Sequence, residues 1–377
     1  MPFYSYLRSK VRNKKDRLRA VENLEKLRAQ LDEDIPAKDS EKTLLLATWN
    51  IRDFAKKNRR GFGKRLPETW FYIAEIISRF DFVAVQEIND LGEWQQVMRI
   101  LGRDWDYIAT DVTDRSLGGN GERLTYVFDK RKVTFQNIAG EIVLPNKMLI
   151  SRSLVVPKDE KAKKLYTGKQ FRRSPFMARF QAEWFKFSIC TVHIYYGSES
   201  GEKLAQRIEE IGAVAEYFCK KADTSLTKDR GLILLGDFNI VHPDHKTMKA
   251  LEDGDFIVPK ALQKKTNFKA TKYYDQIAFK TKKQVIDYIE APDNAGVFKM
   301  FAKIMTDSDE DYAKYKDNAA KTSNGKKKTT DAELRKYYNT WKTYQVSDHN
   351  PLWCRIDVNS SAQYLENKKQ KLADEIG

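Results

Sequence analysis

The chain has 377 residues, 41% of them hydrophobic, enough to enclose either two ordinary domains or one large α/β domain. Its 68 Lys and Arg against 53 Asp and Glu leave a net charge of +15, a field that draws polyanions such as nucleic acid or an anionic membrane. Three scattered cysteines, Cys190, Cys219 and Cys354, exclude a disulfide framework or a cysteine metal cluster, and no apolar run approaches a membrane span.

The opening MPFYSYLRSKVRNKK lacks the apolar core of a secretory signal, so a soluble cytoplasmic protein is expected. From Lys15 to Asp34, Leu18, Val21, Leu24, Leu27 and Leu31 recur at spacings of three and four and predict an amphipathic helix. It reads as an arm that packs on the domain, or else as a contact for a regulatory protein or a second copy. Residues 32–42, with Pro36 inside, predict a linker. Beyond Lys42 short apolar runs alternate with helical stretches, an α/β pattern. Strands are predicted at Leu44–Asn50, Phe82–Gln86, Tyr107–Thr110, Leu124–Phe128, Ala178–Trp184, Phe187–His193, Leu232–Leu235, Gln276–Phe279 and Leu352–Ile356. Helices are predicted at Glu68–Phe80, Glu93–Leu101 and Leu204–Lys221. Only Phe185 and Lys186 lie between the fifth and sixth of these strands, so hairpins mix with crossovers and the sheets are not purely parallel. Residues 151–173, with eight Lys or Arg including Arg172 and Arg173, and 292–344, Lys-rich around SNGKKKTTDAELRK, read as insertions. Each is a solvated loop or a basic surface that tracks a phosphate backbone.

Four segments place polar residues at the end of, or just before, an apolar run, the rim where α/β sites gather. LLLATWNIRDF carries Asn50 and Arg52; DFVAVQEIND carries Glu87; GLILLGDFNI carries Asp237 and Asn239, on one face if the chain stays extended; VSDHNPLW carries Asp348 and His349. Singly these are turn residues, helix caps or solvated acids. His242 and His245 are spaced like a metal pair, but Pro243 and Asp244 predict a loop and a helix start there. GGNG at 118–121 is a loop and no phosphate cradle, because no Lys-Ser/Thr follows.

In this order the four segments resemble the motifs of the endonuclease/exonuclease/phosphatase superfamily, over roughly Thr43 to Asp357. The resemblance implies an α/β fold, a four-layer α/β/β/α sandwich in which two mixed β-sheets pack face to face. It also implies a single catalytic domain at 43–357, with a helical arm at 1–42 and a charged tail at 358–377. Further residues look like the deoxyribonuclease I-like branch: His193 in FSICTVHIYYG, Glu122 in LGGNGERLTYVF, Asp275 in YYDQIAF, Arg173 in FRRSPFMARF, and Arg52. That likeness implies the pairs His193–Glu122 and His349–Asp275, with Arg52, Arg172 and Arg173 on a nucleic-acid backbone. The secreted enzymes' disulfide framework is missing from this chain, and its long insertions have no counterpart in them.

Phosphodiester hydrolysis needs an activated water, neutralised phosphoryl oxygens and a proton for the leaving alkoxide. Two imidazole–carboxylate pairs can carry the proton transfers; the sequence leaves open which histidine is base and which is acid, and His349 as base with His193 as acid is the preferred order. The resemblance further implies that Glu87, Asn50 and Asp348 form an all-oxygen ligand set suited to Mg²⁺, with Mn²⁺ or Ca²⁺ as substitutes, and that Asp237 and Asn239 position water and phosphate or hold a second cation. The resulting expectation is a Mg²⁺-dependent endonuclease of low specificity on double-stranded DNA, leaving 5′-phosphate and 3′-hydroxyl ends. The alternatives are a small phosphoester such as an inositol phosphate, sphingolipid headgroup or nucleotide, RNA, or a catalytically silent binding module. Restraint by the arm, the 292–344 insertion or the tail is a further expectation.

Overall fold

The computed structural model describes residues 2–56, 61–112, 121–155, 165–222, 231–321, 328 and 330–376. Lys158, Lys161, Lys163 and Lys164 of the first insertion, residues 118–120 of GGNG and most of SNGKKKT lie outside the described residues.

In chain order the elements are α1 (Leu7–Lys10), α2 (Lys14–Asp34), β1 (Thr43–Phe54), α3 (Pro67–Ser78), β2 (Phe82–Ile88), α4 (Leu91–Leu101), β3 (Trp105–Ala109), β4 (Arg123–Asp129) and β5 (Thr134–Glu141). Then follow β6 (Ile150–Val155), β7 (Leu165–Lys169), β8 (Phe176–Ala182), β9 (Phe185–His193), α5 (Gly201–Ala222), β10 (Gly231–Asp237), α6 (Lys246–Glu252) and β11 (Asp275–Lys280). The chain closes with α7 (Lys283–Glu290), β12 (Ala295–Val297), α8 (Asp309–Lys321), α9 (Asp331–Gln345), β13 (Leu352–Asp357) and α10 (Ser361–Ile376).

Two large mixed sheets pack face to face. One has the order β12-β13-β1-β2-β4-β3 and the other β11-β10-β9-β8-β5. Strand β1 shows why the layers form, because successive side chains alternate between faces. Leu44 and Leu46 enter the core shared with Phe82, Phe180 and Phe187, whereas Leu45, Ala47 and Trp49 face Phe71, Ile73 and Trp94 of the helices outside. The second sheet is covered by α5 through Ile211, Val214 and Phe218, giving the four layers α/β/β/α. Each sheet has one parallel pair near its middle, β1 with β2 and β9 with β10. The carboxyl ends of all four strands therefore meet at one rim.

The departures from the predicted elements have physical causes. The β8–β9 turn falls at Glu183 and Trp184, so β8 ends two residues early; Glu183 has φ +48°. Strand β5, TFQNIAGE, is a mostly exposed edge strand without alternation to reveal it. The first insertion holds the β6–β7 hairpin, and the second folds into α8 and α9. Those helices bury Tyr312, Tyr315, Tyr338 and Trp341, a helical stripe written in aromatic residues inside a polar stretch. Helix α2 forms, but turned: Leu18 and Val21 are exposed, while Leu24, Leu27 and Leu31 are buried. Arg19 and Asn23 go inward with them, and what they meet decides the rotation.

Arg19 donates from Nε to Glu68 Oε1 at 3.0 Å and from Nη2 to Glu68 Oε2 at 2.5 Å, on α3. Tyr315 of α8 gives the same carboxylate a hydrogen bond of 2.8 Å, and Asn23 donates to the Tyr315 hydroxyl at 2.8 Å. The arm, the first helix of the sandwich and the second insertion thus share one buried polar network. No helix among the described residues is long and apolar enough to cross a membrane.

Candidate active site

Asn50 sits in β1 where the strand passes the rim, and its side-chain amide bridges the sheets. Nδ2 donates to Glu87 Oε1 at 2.9 Å and to Asp237 Oδ2 of the other sheet at 3.0 Å. Ser347 holds the same segment from below by donating to the Asn50 carbonyl at 2.5 Å. Glu87, at the end of β2, has φ +68°, a left-handed backbone that is uncommon for a glutamate. That strain is held in place by the Asp53 amide, which donates to Glu87 Oε2 at 2.6 Å.

On the second sheet Gly236 precedes Asp237 with φ +131°, and a Cβ there would lie 2.2 Å from the Val192 carbonyl. Only glycine lets β10 approach β9 so closely and set Asp237 beside His193. The chain does not stay extended after Asp237. Asn239 has φ +54°, and its amide turns back to donate to Asp237 Oδ1 at 3.0 Å. The Asn239 side chain donates to the Ile194 carbonyl at 2.8 Å, and buried Arg207 of α5 donates to the Asn239 carbonyl at 2.7 Å.

The two imidazoles face each other across Asp237. His193 Nδ1 lies 3.1 Å from Glu122 Oε2, and its Nε2 lies 3.5 Å from Asp237 Oδ2 and 3.8 Å from Glu87 Oε1. His349 Nδ1 is 2.8 Å from Asp275 Oδ2, and its Nε2 is 3.8 Å from the same Asp237 oxygen. Burial opposes the charge on His349, yet Asp275 and Asp237 outweigh it and hold its pKa well above the usual imidazole value. Burial and Arg173 oppose protonation of His193, and Glu122 with Asp237 overcomes them to raise its pKa. Glu122 would be raised by burial, but His193 and Arg173 keep it far below the ordinary carboxylate range. Burial, with Glu122 close by, pushes Glu87 upward.

Whether a cation fits can be judged from the donors. Among the described residues Asn50 Oδ1 is buried without a hydrogen-bond partner, next to the Glu87 carboxylate. An orphaned buried carbonyl is costly unless something accepts its lone pairs, and a hard cation does so. Glu87, Glu122 and His193 offer ligand atoms within 4.8 Å of one another, as do Asp237, Asp275 and His349. These oxygen-rich sets fit a hard divalent ion; both lack the thiolates of a structural zinc site. Asp348 belongs to neither group and pairs with Arg52 at 3.0 Å.

The arginines are engaged as well. Arg173 Nε donates to Glu122 Oε2 at 2.7 Å, Arg172 covers the Tyr195 ring at 4.4 Å, and Arg52 donates to Thr343 at 2.6 Å while lying 3.7 Å from the centre of the Tyr344 ring. His245 caps α6 by accepting from the Thr247 amide, and His242 lies 3.3 Å from Asp244 in the preceding loop, so neither joins the site. Sequence reasoning missed Arg207 and Gln86. Gln86 donates to Thr48 at 3.1 Å and across the sheets to Thr191 at 2.9 Å. A glutamine in an otherwise apolar strand, DFVAVQEI, was the available signal; Arg207 in a polar helix had none.

No family model matches the chain. A curated deoxyribonuclease from Thioalkalivibrio sp. is 28% identical over 218 residues, which are 56% of this chain. The chain spans about half, 50%, of that relative's length. Similar solved structures include an endonuclease/exonuclease/phosphatase family protein from Bacteroides thetaiotaomicron, at 14% identity and a TM-score of 0.46, covering 84% of this chain and 98% of that one. The human Nocturnin catalytic domain with bound sulfate has 12% identity and a TM-score of 0.47 over 83% and 93% of the two chains. TDP2 of D. rerio, complexed with a single-strand DNA product, has 12% identity and a TM-score of 0.43 over 83% and 98%.

Proposed function

We propose that the chain is a metal-dependent phosphodiesterase of the endonuclease/exonuclease/phosphatase superfamily that hydrolyses DNA to 5′-phosphate and 3′-hydroxyl ends. The observation that carries this reading is the convergence of two carboxylate-backed imidazoles on one oxygen, Asp237 Oδ2, at 3.5 and 3.8 Å. A single histidine pair has many uses. Two opposed ones can take a proton on one side of a phosphate and return one on the other, as hydrolysis of a diester requires. The net charge of +15 and the similarity to a deoxyribonuclease favour a polyanionic substrate.

In this mechanism His349, made more basic by Asp275, removes the proton of the attacking water. His193, its Nδ1 facing Glu122, presents Nε2 to the leaving alkoxide and delivers the proton. Asp237 and Asn239 orient the water and the phosphate. Glu87 and the Asn50 side-chain oxygen Oδ1 would hold the cation, Mg²⁺ by the hardness of its donors, which would polarise a phosphoryl oxygen when bound. Arg173, fixed by Glu122, adds positive charge at the same rim.

The test is cleavage of a supercoiled plasmid in Mg²⁺. The wild-type protein is expected to relax and linearise it, and His193→Ala and His349→Ala to slow the reaction by about 100- to 10,000-fold each. A plasmid left intact in Mg²⁺, Mn²⁺ and Ca²⁺ alike would reject the assignment. Turnover of a small phosphomonoester in its place would move the substrate class.

A further inference from the structure

A groove of about 840 Å³ opens beside His349 and runs between α9 and the 267–274 loop. One wall belongs to the second insertion, which is bound firmly to the catalytic strand. Arg52 reaches Thr343 and Tyr344, and Arg65 donates to the Gln345 carbonyl at 3.0 Å and the Val346 carbonyl at 3.0 Å. Residues from this insertion therefore stand at a fixed place next to the reacting groups.

The chemistry of the groove is that of a polyanion with flat bases. Lys269 and Lys336 are exposed on opposite walls, and neither makes an ion pair among the described residues. The two acids facing the groove are already matched, Asp348 by Arg52 at 3.0 Å and Asp307 by Lys342. The groove thus keeps a surplus of positive charge. Half-buried Tyr274, its ring 5.7 Å from that of His349, and Phe268, held edge-to-face by Phe301 at 5.3 Å, supply aromatic surface along it. Among the described residues Asn339 Oδ1, on the α9 wall, is buried without a partner. Cations along the edges and aromatic rings between them are how proteins hold single-stranded nucleic acid.

We propose that this groove binds an unpaired strand of the nucleic acid as it continues away from the scissile phosphate, with Lys269 and Lys336 on its phosphates. The proposal rests on the phosphodiesterase reading above for the direction of the strand, and its test is separable from that reading. Binding of a fluorescent single-stranded oligonucleotide is measured by anisotropy in EDTA, while hydrolysis of bis(4-nitrophenyl) phosphate in Mg²⁺ reports the chemistry alone. In the Lys269→Ala/Lys336→Ala protein, binding is expected to weaken about tenfold. Its log–log salt slope is expected to fall by about 1.4, the loss of two single-strand phosphate contacts. Hydrolysis of the small diester should stay within twofold. A blunt duplex should bind more weakly than the single strand and respond little to the substitutions. Unchanged oligonucleotide binding in the double variant overturns the groove, and an equal loss on the blunt duplex overturns its preference for an unpaired strand. Failure of the wild-type protein to hydrolyse both the plasmid and the small diester would sink the enzymatic reading and leave the binding result to decide the groove.

Discussion

Glu210 on α5 is buried, and among the described residues neither carboxylate oxygen accepts a well-aligned hydrogen bond. Burial pushes its pKa up to about 7, although Arg173, the Tyr195 backbone and Arg172 give partial relief. An acid whose folded pKa exceeds its ordinary value of 4.5 keeps an extra proton in the native state between the two values. Stability is therefore lost as pH rises from about 4.5 to about 7, and the loss persists above that. Glu210→Gln is expected to stabilise the protein at pH 8 by roughly 3 kcal/mol and to change little at pH 4.5. Urea denaturation at the two pH values checks this; the same shift at both would show that charge is not the cause. Such residues resist sequence reading, because a glutamate or arginine in a polar helix is ordinarily solvated. Asn50, Glu87, Asp237 and His349 were readable because each stands at an abrupt change from apolar to polar. The positive φ of Glu87 and Asn239 was not, since only the assembled rim imposes it.

Helix α2 is joined to α3 and α8 by a charge pair that has left water, Arg19 and Glu68, whose side chains are 9% and 2% exposed. Two consequences of opposite sign follow. Arg19→Ala leaves the Glu68 carboxylate buried with hydroxyl partners only, at an expected loss of about 3 to 5 kcal/mol. Replacing both residues with leucine is expected to restore most of that loss, because no unpaired charge remains. Chemical denaturation of the single and double variants measures the difference; a double variant no more stable than Arg19→Ala would refute the desolvation argument. The arm's existence was evident from its leucine spacing, but its orientation was not, as Arg19 and Asn23 turn inward only because Glu68, Tyr72 and Tyr315 await them. Helices α8 and α9 escaped for a related reason: tyrosines at spacings of three and four sit among lysines and aspartates, and no aliphatic stripe marks them.

For the molecule as a whole, the candidate site is also the seam between two sheets. Asn50 with Asp237, and Gln86 with Thr191, clasp the layers where the carboxylates gather. A cation bound there only in the native state stabilises everything, by about 2.7 kcal/mol at one hundred times its dissociation constant. Mg²⁺ is therefore expected to raise the unfolding temperature of the wild-type protein relative to EDTA, and Glu87→Gln to remove most of that rise. Calorimetry that finds equal shifts in both would place the ion elsewhere. The two-sheet architecture was implied by the resemblance that the four motifs carry; the clasp was not, because residues 50 and 237, or 86 and 191, have no sequence relation that reveals contact.

The distance along the chain between the partners of this clasp sets an order of events during synthesis. Asn50 emerges from the ribosome long before Asp237, and His349 follows long after both. A polypeptide released early, at any point before residue 349, carries one imidazole at most beside Asp237, and one released before residue 346 also lacks the hold that Val346 and Ser347 give the segment after α9. If the protein cuts nucleic acid, such unfinished copies are harmless to the messages and chromosomes around them, and the hazard begins only once the last histidine has left the ribosome.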